Sequence, residues 1–396
     1  MKDLLIISAF VPYKSVGHAG GKTHYYYLKK YSDAFNVRLI TFAENSELEK
    51  AKNDLNQLNI SYSIIERKAT KKEKLLNLES TYSPFNRNCR MVSNTDQSDV
   101  LKKIKELKEN RYSPDIVVLE WTQMLLACRK IKKYFPNAKI VASEHDVSFL
   151  SFERKYLNSN GLKRIVHRIE YKSLYSKELK ALKSIDLILT QNEKDKGLLI
   201  KNGINDSVIH VIVPYYSHLK SSGKRNKSNN LLFFGAMYRP ENYQSAIWFI
   251  ENVFSKLHGF IFVILGGNPH PVLEKYKSEK IKVTGFVDDI QPYFDEALCF
   301  VSPLVSGAGI KVKVLEAFTS GIPVLTNLIG IEGIPAKDGH DYIHCEKPED
   351  YVSSILELAN DLSKCETIGN NGKEFIEHCF DMESSAIELI NKINYL

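Results

Sequence analysis

The stretch Val305-Ser306-Gly307-Ala308-Gly309-Ile310-Lys311-Val312-Lys313-Val314-Leu315-Glu316-Ala317-Phe318 gathers residue types suited to holding an anion. A strand is expected to end near Leu304, a small-residue loop to follow, and a helix to begin near Gly309. Glycines let backbone amides approach an anion closely, and a helix N-terminus adds favourable partial charge. Lys311 and Lys313 supply formal charge. Glu316, about two turns into such a helix, can accept two hydrogen bonds from a vicinal diol. The same residues also fit an ordinary strand-to-helix turn with Glu316 on a solvated face.

A second group lies in the first half of the chain. His145, in Ser143-Glu144-His145-Asp146, ends a strand that reads as buried, a position open to a site residue or a structural histidine. His18 and His24 flank Gly20-Gly21, either facing a site or solvated. Glu120 and Trp121 close another strand and can line an acceptor, although Trp121 equally fits packing. The six cysteines are scattered with no CxxC spacing, so free thiols in a reducing compartment are expected, not a zinc site or a disulfide framework. No Asp-x-Asp pair precedes a candidate loop, and Asp288-Asp289 suit a turn; no metal is expected.

These residues need elements to hold them. Continuous apolar runs at 3–10, 36–42, 61–66, 115–121, 138–144, 186–191 and 208–214 read as strands buried on both faces. Helical patterns lie between several of them, at Gly21–Phe35, Asp99–Asn110 and Leu162–Ser184. A polar stretch at 217–230 reads as a linker, after which strands resume at 230–236, 259–267, 280–286, 297–304, 322–327 and 342–346. The expected architecture is α/β, with two Rossmann-like domains whose open parallel sheets face a cleft. Residues 1–216 form the first domain, completed by a terminal helix at about 381–396, and residues 231–380 form the second.

Composition agrees with that class. The chain has 396 residues, 43% of them hydrophobic and 26% charged, which excludes a disordered chain. No apolar run is long enough to span a bilayer. The apolar start MKDLLIISAFVPYK reads as a first strand, not a secretion signal, and a cytoplasmic location is expected. The net charge is +7, and residues 151–183 hold nine basic residues against three acids. A second basic run spans Glu66–Lys74. The segment 151–183 suits membrane phosphates or an anionic acceptor, and equally a solvated helix face.

The second half also carries an ordered series: Phe233-Phe234-Gly235, Ile264-Leu265-Gly266-Gly267, Val283-Thr284-Gly285-Phe286-Val287-Asp288-Asp289, Ser302-Pro303, Gly307-x-Gly309-Ile310-Lys311-x-Lys313-x-Leu315-Glu316-Ala317 and Gly321-Ile322-Pro323-Val324. In order and spacing it resembles the donor domain of family 4 glycosyltransferases with the GT-B fold, of the type that builds bacterial surface polysaccharide or lipopolysaccharide. Gly20-Gly21, Pro114-Asp115-Ile116-Val117 and Glu144-His145-Asp146 extend the resemblance more loosely into the first half.

The resemblance implies roles. Glu316 matches the second glutamate of an E-x7-E signature that holds the nucleotide ribose, and the Gly307, Ala308, Gly309, Ile310 backbone faces the diphosphate and donor sugar. Phe286 and Val287 border the base. Gly20 and Gly21 admit the donor phosphates, and His145 contacts the donor sugar. Three positions depart from the pattern. Ala308 stands where the first glutamate of the signature falls. Ala236 and Glu241 stand where the phosphate-binding Arg and Lys fall, leaving Arg239, Lys311 and Lys313 as the nearest cations. Pro214-Tyr215-Tyr216 replaces a Pro-Asn-Gly. The implied reaction is metal-independent, retaining transfer of a hexosyl-type sugar from a UDP- or GDP-linked donor, the nucleotide sugar being a co-substrate and no cofactor being needed. The implied acceptor is a glycan or lipid-linked hydroxyl, with peripheral contact to an anionic membrane and no nucleic-acid partner. His145, Lys313 and Arg239 are the catalytic candidates. Two rival readings remain: a sugar-nucleotide 2-epimerase of the same fold, using Glu120, Glu144 or Asp146 as acid and base, and a noncatalytic glycan- or partner-binding subunit.

Overall fold

A computed structural model describes residues 1–67, 94–220, 228–307 and 309–396. Part of the Glu66–Lys74 basic run, Ala308 and the middle of the 217–230 stretch lie outside the described residues. The chain divides into two compact units, one formed by Met1–Tyr215 with Met382–Leu396 and the other by Tyr216–Asp381.

The first unit is built on β1 (Asp3–Ser8), β2 (Asn36–Ala43), β3 (Ile60–Glu66), β4 (Ile116–Glu120), β5 (Lys139–Ser143), β6 (Leu187–Thr190) and β7 (Ile209–Val211). They form one parallel sheet in the order β3-β2-β1-β4-β5-β6-β7. The apolar runs alternate between its faces. Leu5, Ile7, Val117, Leu119, Ile140 and Ala142 enter one buried cluster. Leu4, Ile6, Ile116, Val118 and Val141 enter the other. Both faces are covered, which is why these strands are apolar throughout. The helices Ala19–Ala34 and Met382–Asn394 cover the second face together through Tyr27, Leu28, Tyr31, Ala386, Leu389 and Ile393. Tyr27 Oη lies 3.0 Å from Ser385 Oγ and donates to the Val213 carbonyl, so the end of the chain is built into this unit.

The second unit holds β8 (Asn230–Phe234), β9 (Ile261–Leu265), β10 (Ile281–Gly285), β11 (Ala297–Ser302), β12 (Val324–Thr326) and β13 (Ile343–His344). They are parallel, in the order β10-β9-β8-β11-β12-β13. Phe233, Phe249, Phe262, Phe294 and Phe300 are fully buried and form much of the core. Where β8 and β9 end, their backbones nearly touch. A Cβ on Gly266, at φ 148°, would fall 1.8 Å from the Gly235 carbonyl oxygen. The stretch read as a linker begins as part of this unit. The amides of Ser217, Leu219 and Lys220 donate to Glu316, Thr319 and Gln291 side chains, because an irregular backbone against a folded surface needs partners.

In each sheet the chain reverses its direction of build-up once, between β1 and β4 and between β8 and β11. The crevice at the carboxyl ends of strands flanking such a switch is where open α/β sheets bind ligands.

Candidate functional site

In the first unit, the switch between β1 and β4 gathers Gly20, His24, Glu120, Trp121, His145 and Gln191. Glu120 ends β4 and is buried, with Oε2 2.9 Å from His145 Nε2. Gln191 Nε2 lies 2.9 Å from His145 Nδ1. With the amide oriented to donate, Nδ1 accepts and Nε2–H donates to Glu120. Trp121, at a left-handed φ of 69°, stacks on the His145 ring at 4.3 Å and 15°. Gly20 lies against the same ring, since a Cβ there would fall 3.2 Å from Nδ1. His24 is buried beside them, its Nδ1 3.3 Å from Ser8 Oγ and its Nε2 without a hydrogen-bond partner among the described residues. Burial lowers its pKa to about 4, with help from His145 and His18 and against Glu120. Burial pushes the Glu120 carboxyl up, but His24 and His145 outweigh it and hold the group below its usual value.

Two expected site residues are engaged otherwise. The Gly21 amide donates to His18 Nδ1 at 3.0 Å, where His18 caps the helix Ala19–Ala34. Glu144 Oε2 accepts from Thr122 Oγ1 at 2.6 Å. Burial, with Asp146, Asp195 and Glu120 nearby, raises it to about 8.

In the second unit, polar contacts bridge the switch between β8 and β11, among them the Val305 amide donating to Ser245 Oγ at 3.1 Å. Lys313 Nζ donates to Asn242 Oδ1 and sits 5.0 Å from the centre of the Phe233 ring. This ties the helix Val312–Thr319, after β11, to the helix Pro240–Asn252, after β8. Burial lowers the Lys313 ammonium to about 7; Lys311 and Arg239 add to the shift and Glu241 opposes it. Arg239 caps the helix Pro240–Asn252 and lies 3.7 Å from Glu241, partly exposed. Lys311 is 9% exposed; its Nζ donates to the Gly309 carbonyl and lies 3.6 Å from Glu332, so its charge is already countered. Glu316 is buried, and its Oε1 accepts from the Ser217 amide at 3.2 Å. Phe286 is 78% exposed and lies against Gly267, with Val287 half-buried next to it.

One expectation needs correction. The helix starts at Val312, not near Gly309. Gly309 adopts φ 68° and Lys311 caps the helix at φ −92°, ψ 89°, so neither has the right-handed helical backbone. Gly307, Gly309 and Ile310 are therefore loop. Asn242, Glu332 and Gln191 were not singled out from sequence. Each acts through a partner remote in the chain, and an isolated Asn, Glu or Gln in a loop or first helical turn carries no local signal.

Three comparisons place this arrangement among known proteins. Residues 228–361 match the family model for glycosyl transferases group 1. A 44.6 kDa protein from the cps region of Klebsiella pneumoniae is 24% identical over 165 residues, covering 38% of this chain and 42% of that protein. The match thus spans less than half of that relative's length. Among solved structures, HepE of Anabaena in complex with UDP covers 100% of both chains at TM-score 0.70 and 14% identity. The lipopolysaccharide outer core galactosyltransferase WaaB also covers 100% of both, at TM-score 0.66 and 15% identity. The chain therefore has the GT-B glycosyltransferase fold, and its second unit carries the glycosyl transferases group 1 domain.

Proposed function

We propose that this protein transfers a sugar from a UDP-linked donor to a hydroxyl of a glycan or lipid-linked acceptor in bacterial surface polysaccharide synthesis. The reading rests on one observation. The unit matching glycosyl transferases group 1 places a partly neutralised ammonium, Lys313, and a buried carboxylate, Glu316, on one short helix at the switch point of its sheet. UDP is preferred over GDP because HepE, which shares the fold over the full chain, was solved with UDP and with UDP-glucose.

In this reading Glu316 accepts from the ribose hydroxyls, and the amides of Gly307, Gly309 and Ile310 face the diphosphate. Lys313 meets the charge that grows on the leaving group. A fixed cation aimed at developing charge in a poorly hydrated site lowers the barrier without reorganisation. That assignment gives the cation's role to Lys313 and not to a metal. Arg239 is the second cation in reach, and Lys311 holds the loop through Gly309. His145, oriented by Glu120 and Gln191, positions the donor sugar. Transfer proceeds with retention, the departing phosphate taking the acceptor proton. Glu120 is taken up in orienting His145, which leaves the epimerase reading only Glu144 and Asp146 for its acid and base.

The test is thermal stabilisation by UDP, GDP, dTDP and CMP, with and without magnesium, on wild type and Glu316→Ala. A ligand at a hundredfold excess over its dissociation constant stabilises by about 2.7 kcal/mol. UDP is expected to stand out with or without magnesium, and the variant to keep at most about half of the effect. No response to any nucleotide overturns the reading in favour of a noncatalytic subunit.

A further inference from the structure

A cavity of about 280 Å³ opens at the amino ends of strands in the first sheet, the end opposite the His145 cluster. Its floor is Cys128, Ile140 and Ile185, all buried. Ile140 is the second residue of β5 and Ile185 stands just before β6. At ~3.3 Å per residue, ~10 Å of strand separates this floor from Ser143, where β5 ends. The volume lies just below the range of about 300–1,000 Å³ that holds drug-sized ligands, so the cavity suits a smaller molecule. A sugar nucleotide exceeds it.

One wall is the helix Cys128–Tyr134, which turns Cys128 and Ile131 into the core. Arg129, Lys132 and Lys133 follow at i, i+3, i+4 spacing on its exposed side and line the cavity. Among the described residues none of the three has an ion-pair partner, and no acid lines the cavity. Asp186, next to Ile185, is already engaged: Oδ1 lies 3.3 Å from Lys139 Nζ, and Oδ2 accepts from the Ile140 amide at 2.9 Å. Like charges at such spacing work against a helix, and a bound anion relieves that repulsion. Burial pushes the Cys128 thiol up, and the nearby Arg129 and Lys132 charges do not reverse it, so the floor is uncharged as well as apolar.

We propose that this cavity binds a small organic phosphate monoester, with its apolar part on Cys128, Ile140 and Ile185 and its phosphate among Arg129, Lys132 and Lys133. Charge complementarity selects this class. Three unpaired cations favour more than one negative charge, and a phosphate monoester carries about −1.5 to −2 near pH 7. A carboxylate or a phosphodiester carries a single charge. The Arg129 guanidinium offers a fork that fits two phosphate oxygens, and the lysines add point charges. The apolar floor requires the organic part, which inorganic phosphate lacks. The inference does not rest on the donor-binding reading.

Titration calorimetry with phenyl phosphate tests it. Phenyl phosphate is expected to bind at a single site and to slow the alkylation of Cys128 by N-ethylmaleimide, read on its peptide by mass spectrometry. Phenol lacks the charge, inorganic phosphate lacks the ring, and phenyl methyl phosphate is a diester with a single charge. Each is expected to bind at least about tenfold more weakly. R129Q/K132Q/K133Q is expected to bind phenyl phosphate about 10- to 100-fold more weakly, the worth of three exposed ion pairs. Because these three side chains are exposed, its circular dichroism and its stabilisation by UDP should match wild type, which separates loss of this site from loss of fold or of the donor site. Binding is also expected to survive in Lys313→Met. Four results overturn the proposal: no heat and no protection of Cys128, undiminished binding in R129Q/K132Q/K133Q, loss of binding in Lys313→Met, or a diester that binds as tightly as the monoester, as a lipid headgroup would.

Discussion

If Lys313 meets the donor diphosphate, nucleotide affinity must depend on pH in a specified direction. In the free protein its ammonium titrates at about 7, lowered by burial and then by Lys311. A bound diphosphate supplies the missing counter-charge, so the pKa in the complex lies above that in the free protein. The complex then holds more protons than the separated partners above pH 7, and affinity falls as pH rises. Each pH unit between the two pKa values weakens binding up to tenfold, ~1.4 kcal/mol. From about pH 7.5 to about pH 9.5 the expected loss is roughly 100-fold, ~2.7 kcal/mol. The nucleotide's own second phosphate ionisation, near pH ~6, is complete before this window opens. Titration calorimetry with UDP across the window measures the slope. Lys313→Arg keeps its charge throughout and is expected to show a flat profile. Lys313→Met retains the contact with Phe233 and is expected to bind weakly at every pH. A flat wild-type profile, or a slope that survives in Lys313→Met, refutes the assignment.

Other consequences are equally direct. Glu316→Ala removes a charged acceptor and should weaken UDP by about 10- to 100-fold, the worth of a charge-assisted hydrogen bond; Glu316→Gln, which still accepts from Ser217, should keep wild-type thermal stability while binding weakly, as read by paired melts and titrations. Gly266→Ala drives a methyl into the Gly235 carbonyl at the junction of β8 and β9, and should cost more than ~4 kcal/mol in denaturant unfolding or prevent accumulation of folded protein. His24 titrates at about 4 when folded against 6.5 for an ordinary histidine, so its contribution is complete above pH ~6.5 and lost as pH falls towards ~4. That amounts to up to ~3 kcal/mol, and His24→Leu should flatten this part of the acid unfolding curve relative to wild type.

The strands were the most legible feature of the chain. Runs such as Leu4-Leu5-Ile6-Ile7 are apolar at every position because both faces of a parallel sheet are covered, and that signal is local. The helix after β11 was misjudged by three residues because glycine spacing does not reveal that Gly309 takes φ 68°. Lys313 and Glu316 were legible through their place in a family-like series. Their partners were not: Asn242 lies 71 residues from Lys313, and Ser217 lies 99 from Glu316.

By itself, the sequence determined which segments become strands, where the glycines let backbones approach, and which side chains carry charge at strand ends, because each follows from residue type and local periodicity. Strand order, the two switch points, the stacking of Trp121 on His145 and the lowering of Lys313 to about 7 were decided only by the tertiary structure. The physical reason is that these depend on pairing and burial between residues far apart in the chain. A lysine's pKa is set by what surrounds its ammonium.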